Sequence, residues 1–188
     1  MSACRGGKDG AYGRRVEVRG VRPEEHGEAG QLVVAAYRAL PGAHLSGGYA
    51  ALLADVARRS AEAEVFVAAT GTHPSGRSAL LGCVTFVPDA SSAWSERLDP
   101  GEAGIRMLAV RPDAQGQGTG RALVDACIAR ARTLGRPALL LHTTPWMTAA
   151  DRLYESEGFL RFPERDWDAE PDVPLLAYRL ELGSPAAT

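Results

Sequence analysis

The sequence has almost no lysine. Of its 21 basic residues only Lys8 is a lysine, so the body of the fold offers neither a Schiff-base lysine nor the phosphate lysine of a P-loop. Cysteine is also scarce: Cys4, Cys83 and Cys127 make no CxxC pair and no even disulfide framework, and reduced thiols in a cytoplasmic protein are expected. The four histidines, His26, His44, His73 and His142, stand at no metal-ligand spacing to one another or to the cysteines, so no metal is expected. Excess charge of one sign is missing as well. Twenty-one basic against 23 acidic residues leave a net charge of -2, which is no electrostatic footprint for nucleic acid. No apolar run reaches the roughly 18 residues of a membrane-spanning helix, and Met1 to Lys8 carries no apolar signal core. What is present, in 188 residues that are 45% hydrophobic and 23% charged, suits one globular domain. A chain of this length can bury roughly 70% of its unfolded surface and needs no staples.

Residues 1–13 contain four glycines and little to bury, and read as a disordered lead-in. A domain follows over 14–182, with a frayed tail at 183–188. Arg15 to Gly20 alternates charged and apolar residues as a short strand. A helix runs from Glu24 to Leu40, stopped by Pro41-Gly42, and a second from Gly48 to Arg59. Val65 to Ala69 and Leu80 to Val87 read as an antiparallel hairpin around the Gly71 to Gly76 turn cluster. After a loop from Pro88 to Gly101 comes a strand, Ile105 to Val110, then a turn at Arg111 to Ala114. The next helix turns Leu123, Val124, Cys127, Ile128, Ala131 and Leu134 to one face. Gly135 and Pro137 end it. The strand Ala138 to His142 completes a βαβ unit, which requires a parallel pair and a right-handed crossover. A helix from Thr148 to Glu157, with Thr148 as its N-cap, and strands at 159–162 and 175–182 finish the fold. The class is α/β, one domain around a mixed sheet.

The informative segment is Gln115-Gly-Gln-Gly-Thr-Gly-Arg121, between a strand and the start of a helix. Free N–H groups of a first helical turn, together with the helix dipole, make an anion site. Spacing separates the families that use one. A Walker loop needs a lysine that is absent here. A dinucleotide fingerprint started at Gly116 or Gly118 would need glycine or alanine at Arg121 or Leu123, and no acidic residue follows at the ribose distance.

What fits is Q/R-x-x-G-x-G/A, with Gln115, Gly118 and Gly120 in place. In this respect the chain resembles the GNAT family of N-acetyltransferases. Ala150-x-x-Leu-Tyr-Glu-x-x-Gly-Phe159 resembles the family's next helix and strand, and Met107-Leu-Ala-Val-Arg-Pro112 its preceding strand. The likeness is close from Glu102 to Phe162. It implies a mostly antiparallel sheet with a central parallel pair splayed to hold acyl-CoA, and helices on both faces. It also implies transfer of an acetyl group from acetyl-CoA, the co-substrate, to a primary amine by direct attack in a ternary complex.

That reaction makes three demands. The amine must lose a proton, since an alkyl ammonium of pKa about 10.4 is mostly unreactive at neutral pH. The tetrahedral oxyanion needs a preorganised donor, and the departing thiolate benefits from an acid. By resemblance, the backbone of Leu108, Ala109 and Val110 contacts pantetheine and the acetyl group. Gln115, Gly116, Gln117, Gly118, Thr119, Gly120 and Arg121 hold the pyrophosphate, mostly through main-chain N–H groups. Tyr154 matches the family's acid. For the base three readings stand: His142, whose imidazole titrates in the useful range; Glu102; or a water chain with no single base. Met147 departs from the asparagine that many members carry at that position.

The segment from Pro163 to Val173 holds five carboxylates, one arginine and one tryptophan. Asp166, Trp167 and Asp168 would suit a cationic amine, by charge and by cation–π contact, although such a loop can equally be a solvated acidic surface. Pro41 to Gly48, with His44, reads as a lid on the same cleft. The acceptor is a small-molecule or peptide amine. Neither nucleic acid nor membrane is expected as a partner, and a homodimer is compatible with the sequence. The alternative is a regulatory module of the same fold that binds acyl-CoA without turnover.

Overall fold

Among the described residues there are eight strands and five α-helices, most of them laid down by apolar runs. The computed structural model describes residues 16–42, 45–70, 78–171 and 173–183. In chain order these form β1 (Val16–Gly20), α1 (His26–Arg38), α2 (Gly47–Ala54), α3 (Val56–Glu62), β2 (Glu64–Thr70), β3 (Leu80–Val87) and β4 (Ala103–Val110). Then come α4 (Thr119–Thr133), β5 (Ala138–Thr143), α5 (Thr148–Ser156), β6 (Leu160–Arg161), β7 (Trp167–Glu170) and β8 (Val173–Glu181). The lead-in read over 1–13, the Gly71 to Gly76 turn, His44 in the expected lid, and the tail beyond Gly183 lie outside the described residues.

The strand order is β1-β2-β3-β4-β5-β8-β6, with β7 pairing β8. Every pair is antiparallel except β4 with β5, so the splayed mixed sheet expected from the sequence is the one observed. The two faces carry separate cores. Ala29, Leu32, Val33 and Ala36 of α1, with Leu53 and Val56, pack on one face. Leu123, Val124, Cys127, Ile128 and Ala131 of α4, with Tyr154 of α5, pack on the other. Helix α4 closes as its sequence indicates: Arg136 N–H bonds Ala131 O and Gly135 N–H bonds Arg132 O, both at 2.9 Å, which is a Schellman ending.

Four expectations need correction. The helix read from Gly48 to Arg59 is two helices, because Asp55 leaves helical geometry (φ -81°, ψ 70°) and its carboxylate accepts the Arg58 N–H at 3.0 Å, capping α3. A short polar side chain that can bond the backbone locally breaks a helix at such a point. Helix α1 starts at His26, after a 3-10 turn over Pro23–Glu25, and ends at Arg38. Thr148 is the first helical residue of α5 and not its cap; the N-cap position is Met147, with no side-chain bond. There the backbone turns by itself, Met147 N–H reaching Thr144 O at 2.9 Å. The acidic segment is more ordered than a loop. It forms a 3-10 turn, Pro163–Arg165, and then β7, whose Trp167 sits opposite Leu175 of β8.

Helices α1 and α2 meet backbone to backbone. A Cβ on Gly30 would stand 2.2 Å from the Ala54 carbonyl oxygen, an atom with no rotamer to yield. Gly30→Ala is therefore expected to push the helices apart and to cost about 1–3 kcal/mol, read as a lower urea midpoint at unchanged slope.

Candidate active site

The site begins where two strands part. Parallel β4 and β5 pair only from Ala103 to Ile105, against Leu139 to Leu141. Beyond that point β4 stays on β3 and β5 stays on β8 as far as Thr143. Strand β4 also gains a residue there: Cys83 faces Ala109 and Thr85 faces Arg106, so Val84 alone spans Met107 and Leu108. Met107 takes φ +54°, rare for a residue with a side chain. The extra residue flips the pattern of sides. Ala103 and Ile105 pack with α4 and α5, whereas Met107 and Ala109, of the same parity, pack with α1 to α3. A bulge re-aims side chains in this way.

The parting opens a cleft of about 810 Å³ including its mouth. It runs through the sheet. Leu141 and Tyr154 belong to the α4 side, and His142, the next residue along β5, points to the opposite face. Both His142 and Tyr154 line the cleft, with Arg106, Met107, Leu108 and Met147. On the His142 face the wall is Tyr37 of α1, Tyr49 of α2, and Trp94 and Glu96 from the segment before β4. The rings of Tyr37 and Tyr49 meet edge to face at 6.3 Å, and Glu96 pairs with Arg106 at 2.7 Å.

Tyr154 is 5% exposed, packed against Phe159 and Tyr178. Its hydroxyl makes no hydrogen bond to any described residue, and burial holds its pKa well above that of a free phenol. It is a protonated donor. His142 is half-buried, its Nε2 3.1 Å from the Arg165 carbonyl oxygen. A carbonyl only accepts, so Nε2 carries the proton and Nδ1 keeps the lone pair. Burial lowers the His142 pKa below its usual value, outweighing the opposing pull of the Arg165 carbonyl, and Arg106 adds to the lowering while Glu96 and Asp166 oppose it. The imidazole is neutral at neutral pH.

Below the parting, α4 is preceded by its N-cap Gly118, whose φ of +84° suits a residue without Cβ. The N–H groups from Gly118 to Arg121 have no carbonyl one turn earlier to bond. Side chains brace this turn: Gln115 donates to Val110 O at 3.1 Å and Gln117 to Asp113 O at 2.8 Å. The Arg121 guanidinium turns to α5, on Ser156 Oγ at 3.0 Å and Glu157 at 3.1 Å. An anion here meets main chain first.

The structure does not bring every candidate to the cleft. Glu102 is 5% exposed but accepts from Arg179 Nε at 2.9 Å and from Asp99 N–H at 3.0 Å, away from the lining. Asp166 is gripped by both terminal nitrogens of Arg161 and accepts the Ala177 N–H at 2.8 Å. Trp167 lies under Arg97 at 5.1 Å and edge-on to His142 at 6.3 Å; Asp168 is exposed. Tyr37, Tyr49, Trp94, Glu96 and Arg106 were not foreseen. The arginine inside the apolar run Ile105-Arg-Met-Leu was the one signal available for them.

A mixed sheet that parts between its two parallel strands, above the N-terminus of the helix that joins them, is the class of α/β fold observed. The family model described as Acetyltransferase (GNAT) family matches residues 31–159, and the chain belongs to that family. Over 76 residues, 37% of this chain, it is 42% identical to the mycothiol acetyltransferase of Geodermatophilus obscurus. It spans about a quarter of the length of the curated relatives it matches. Among solved structures it resembles the yncA acetyltransferase of Salmonella typhimurium with acetyl-CoA, at 20% identity and TM-score 0.63, covering 92% of this chain and 96% of that one. A GNAT acetyltransferase of Brucella melitensis in complex with acetyl-CoA is 22% identical, with TM-score 0.60 and 93% of each chain covered. The ribosomal-protein-S18-alanine N-acetyltransferase of Escherichia coli is 18% identical, with TM-score 0.61 and 92% and 97% covered.

Because the His142 pKa is lower in the folded chain than in the unfolded one, the unfolded state binds more protons as pH falls below about 6.5. Its contribution to stability is therefore complete above that pH and is lost on acidification toward the folded pKa. His142 should titrate below the free imidazole value in a two-dimensional NMR series. The drop in unfolding free energy between pH 7 and 5 should be smaller in His142→Asn.

Proposed function

We propose that this chain is an acetyl-CoA-dependent N-acyltransferase acting on a primary amine by direct attack in a ternary complex. The observation that carries this reading is the passage through the sheet, with a neutral base on one face and a protonated phenol on the other. Acetyl-CoA would lie on the α4 side, its pyrophosphate on the N–H groups of Gly118 to Arg121 and the turn from Gln115. Its thioester would sit against the backbone of Leu108 to Val110, which β5 leaves unpaired. The amine would arrive from the other face. Nδ1 of His142 takes its proton, the Leu108 N–H faces the developing oxyanion, and Tyr154 donates to the leaving thiolate.

The acceptor end is aromatic: Tyr37, Tyr49 and Trp94 frame Glu96, a carboxylate whose side chain is 48% exposed. This supports a single ammonium seated against the rings and sharing the Glu96 carboxylate with Arg106, whose pair with it is half open to solvent. The stretch shared with the mycothiol acetyltransferases covers 25% of the Geodermatophilus protein, so the acceptor is argued from this cleft alone.

The test is release of CoA thiol from acetyl-CoA with a panel of peptide amino termini, amino acids, aromatic amines, polyamines and aminoglycosides. Turnover is expected with monoamines ahead of polyamines. Tyr154→Phe should lower kcat about 100-fold, within the usual range for general acids, and leave the KM for acetyl-CoA within about twofold. Acetyl-CoA binding by calorimetry without turnover on any amine would replace the enzyme with the regulatory module.

In the same assay Glu96→Gln should raise the KM for the preferred amine about tenfold, with little change in kcat, as expected for loss of uniform binding. An unchanged KM would remove Glu96 from acceptor recognition.

A further inference from the structure

Arg59 is the largest fully buried side chain, at 0% exposure, and among the described residues no carboxylate forms an ion pair with it. One nitrogen does most of its bonding: Nη1 donates to Leu53 O at 2.7 Å, to Leu52 O at 3.1 Å and to Met107 Sδ at 3.2 Å. Nε and Nη2 find no acceptor. A neighbouring thiol, Cys83, offers the guanidinium a weak sulfur acceptor; burial pushes its pKa up to about 11 against the charge of Arg59 and that hydrogen bond. Burying a cation with donors unspent is unfavourable, and apolar replacements of such groups are often neutral or stabilising. Stability alone therefore does not account for an arginine at this position.

Its contacts join two parts of the cleft. Leu52 and Leu53 lie in the last turn of α2, whose carbonyls are left over where Asp55 breaks the helix. Met107 is the left-handed residue at the β4 bulge. The same guanidinium thus ties the helix that presents Tyr49 to the point where β4 leaves β5. Its charge also reaches the opening, because the Tyr37 and Tyr49 phenols both feel it.

We infer that Arg59 is a positioning residue for the transfer reaction: through Met107 it fixes the bulge that aims the Leu108 N–H, and it lends positive potential beneath the developing oxyanion. This rests on the acyltransferase reading. A fixed positive charge in a dry site acts most strongly when negative charge appears in the transition state.

The experiment compares Arg59→Met, Arg59→Lys and wild type in the thiol-release assay, with thermal melts alongside. Arg59→Met is expected to lower kcat between tenfold and 100-fold, with the KM for acetyl-CoA within about twofold and Tm unchanged or raised. Arg59→Lys should recover part of the loss. In a double-mutant cycle the combined loss of Arg59→Met with Met107→Leu should fall short of the product of the single losses, since one path carries both. Met107 is one of three methionines, so its methyl resonance should be readily assigned and should shift in Arg59→Met. Should Arg59→Met fail to fold, Arg59→Lys against Met107→Leu decides by the same kcat and methyl readouts. A lowered Tm with wild-type kcat would make Arg59 structural and overturn the inference alone. A wild type inert on every amine would overturn the acyltransferase reading and this inference with it.

Discussion

The site depends on a refusal to pair: two adjacent parallel strands stop bonding each other halfway along. A continuous sheet is a closed wall, its N–H and C=O groups committed to neighbours. An opening survives only if each lip is held by something else. Here β3 holds β4 as far as Val110, and β8 holds β5 as far as Thr143, so the gap is rigid on both sides. The extra residue at Met107 and Leu108 bends one lip away. A left-handed backbone at a residue with a side chain costs on the order of 1–3 kcal/mol. Such strain persists where the surroundings over-determine it, and Arg59 below with β3 alongside do so.

Much of this was legible before any coordinates. Apolar positions at helical spacing in α4, the Gly135-Arg-Pro ending, and the short step to β5 identify a βαβ unit, and the glycine turn before α4 points to an anion. What could not be read was whatever depends on one backbone residue being out of pattern. Period-two counting puts Glu102 with Gly104 and Arg106 and so offers it to the cleft, whereas Arg179, 77 residues away in sequence, holds its carboxylate. Nothing local announces that partner. The same holds for the bulge, since Met107 and Leu108 are ordinary strand residues and only the register against β3 reveals the insertion. Asp166 and its neighbours looked like a free acidic surface because Arg161, five residues earlier, is invisible to a composition count.

Arginine does what lysine, nearly absent here, could not. Between the segment before β4 and the turn before β7, Arg106 bonds the Trp94 carbonyl and Glu96, Arg165 bonds the Arg97 carbonyl and pairs with Asp99, and Arg97 lies over Trp167. Each uses the planar fork to serve two partners or to cover a ring. Singly, partly exposed pairs of this kind contribute little. Together they join the segment before β4 to the turn before β7, two stretches with no strand pairing between them. The same join reaches His142, because the Arg165 whose guanidinium meets Arg97 and Asp99 presents the carbonyl that sets the imidazole tautomer.

Desolvation then sorts the two titratable side chains proposed to move protons. Burial raises a phenol and lowers an imidazole, so the one physical cause moves Tyr154 and His142 in opposite directions and leaves both uncharged over the same range of pH. A donor and an acceptor that are both neutral can lie on either side of one narrow passage without repelling each other or a thioester. The charges that line the cleft, Glu96 and Arg106, are paired with each other. In the proposed reaction, dry surroundings would strengthen the pull of the backbone N–H beyond the bulge and of the Arg59 guanidinium on a developing negative charge. The parted strands, the buried arginine and the two neutral side chains thus meet at one place, and the proposed transfer draws on all three.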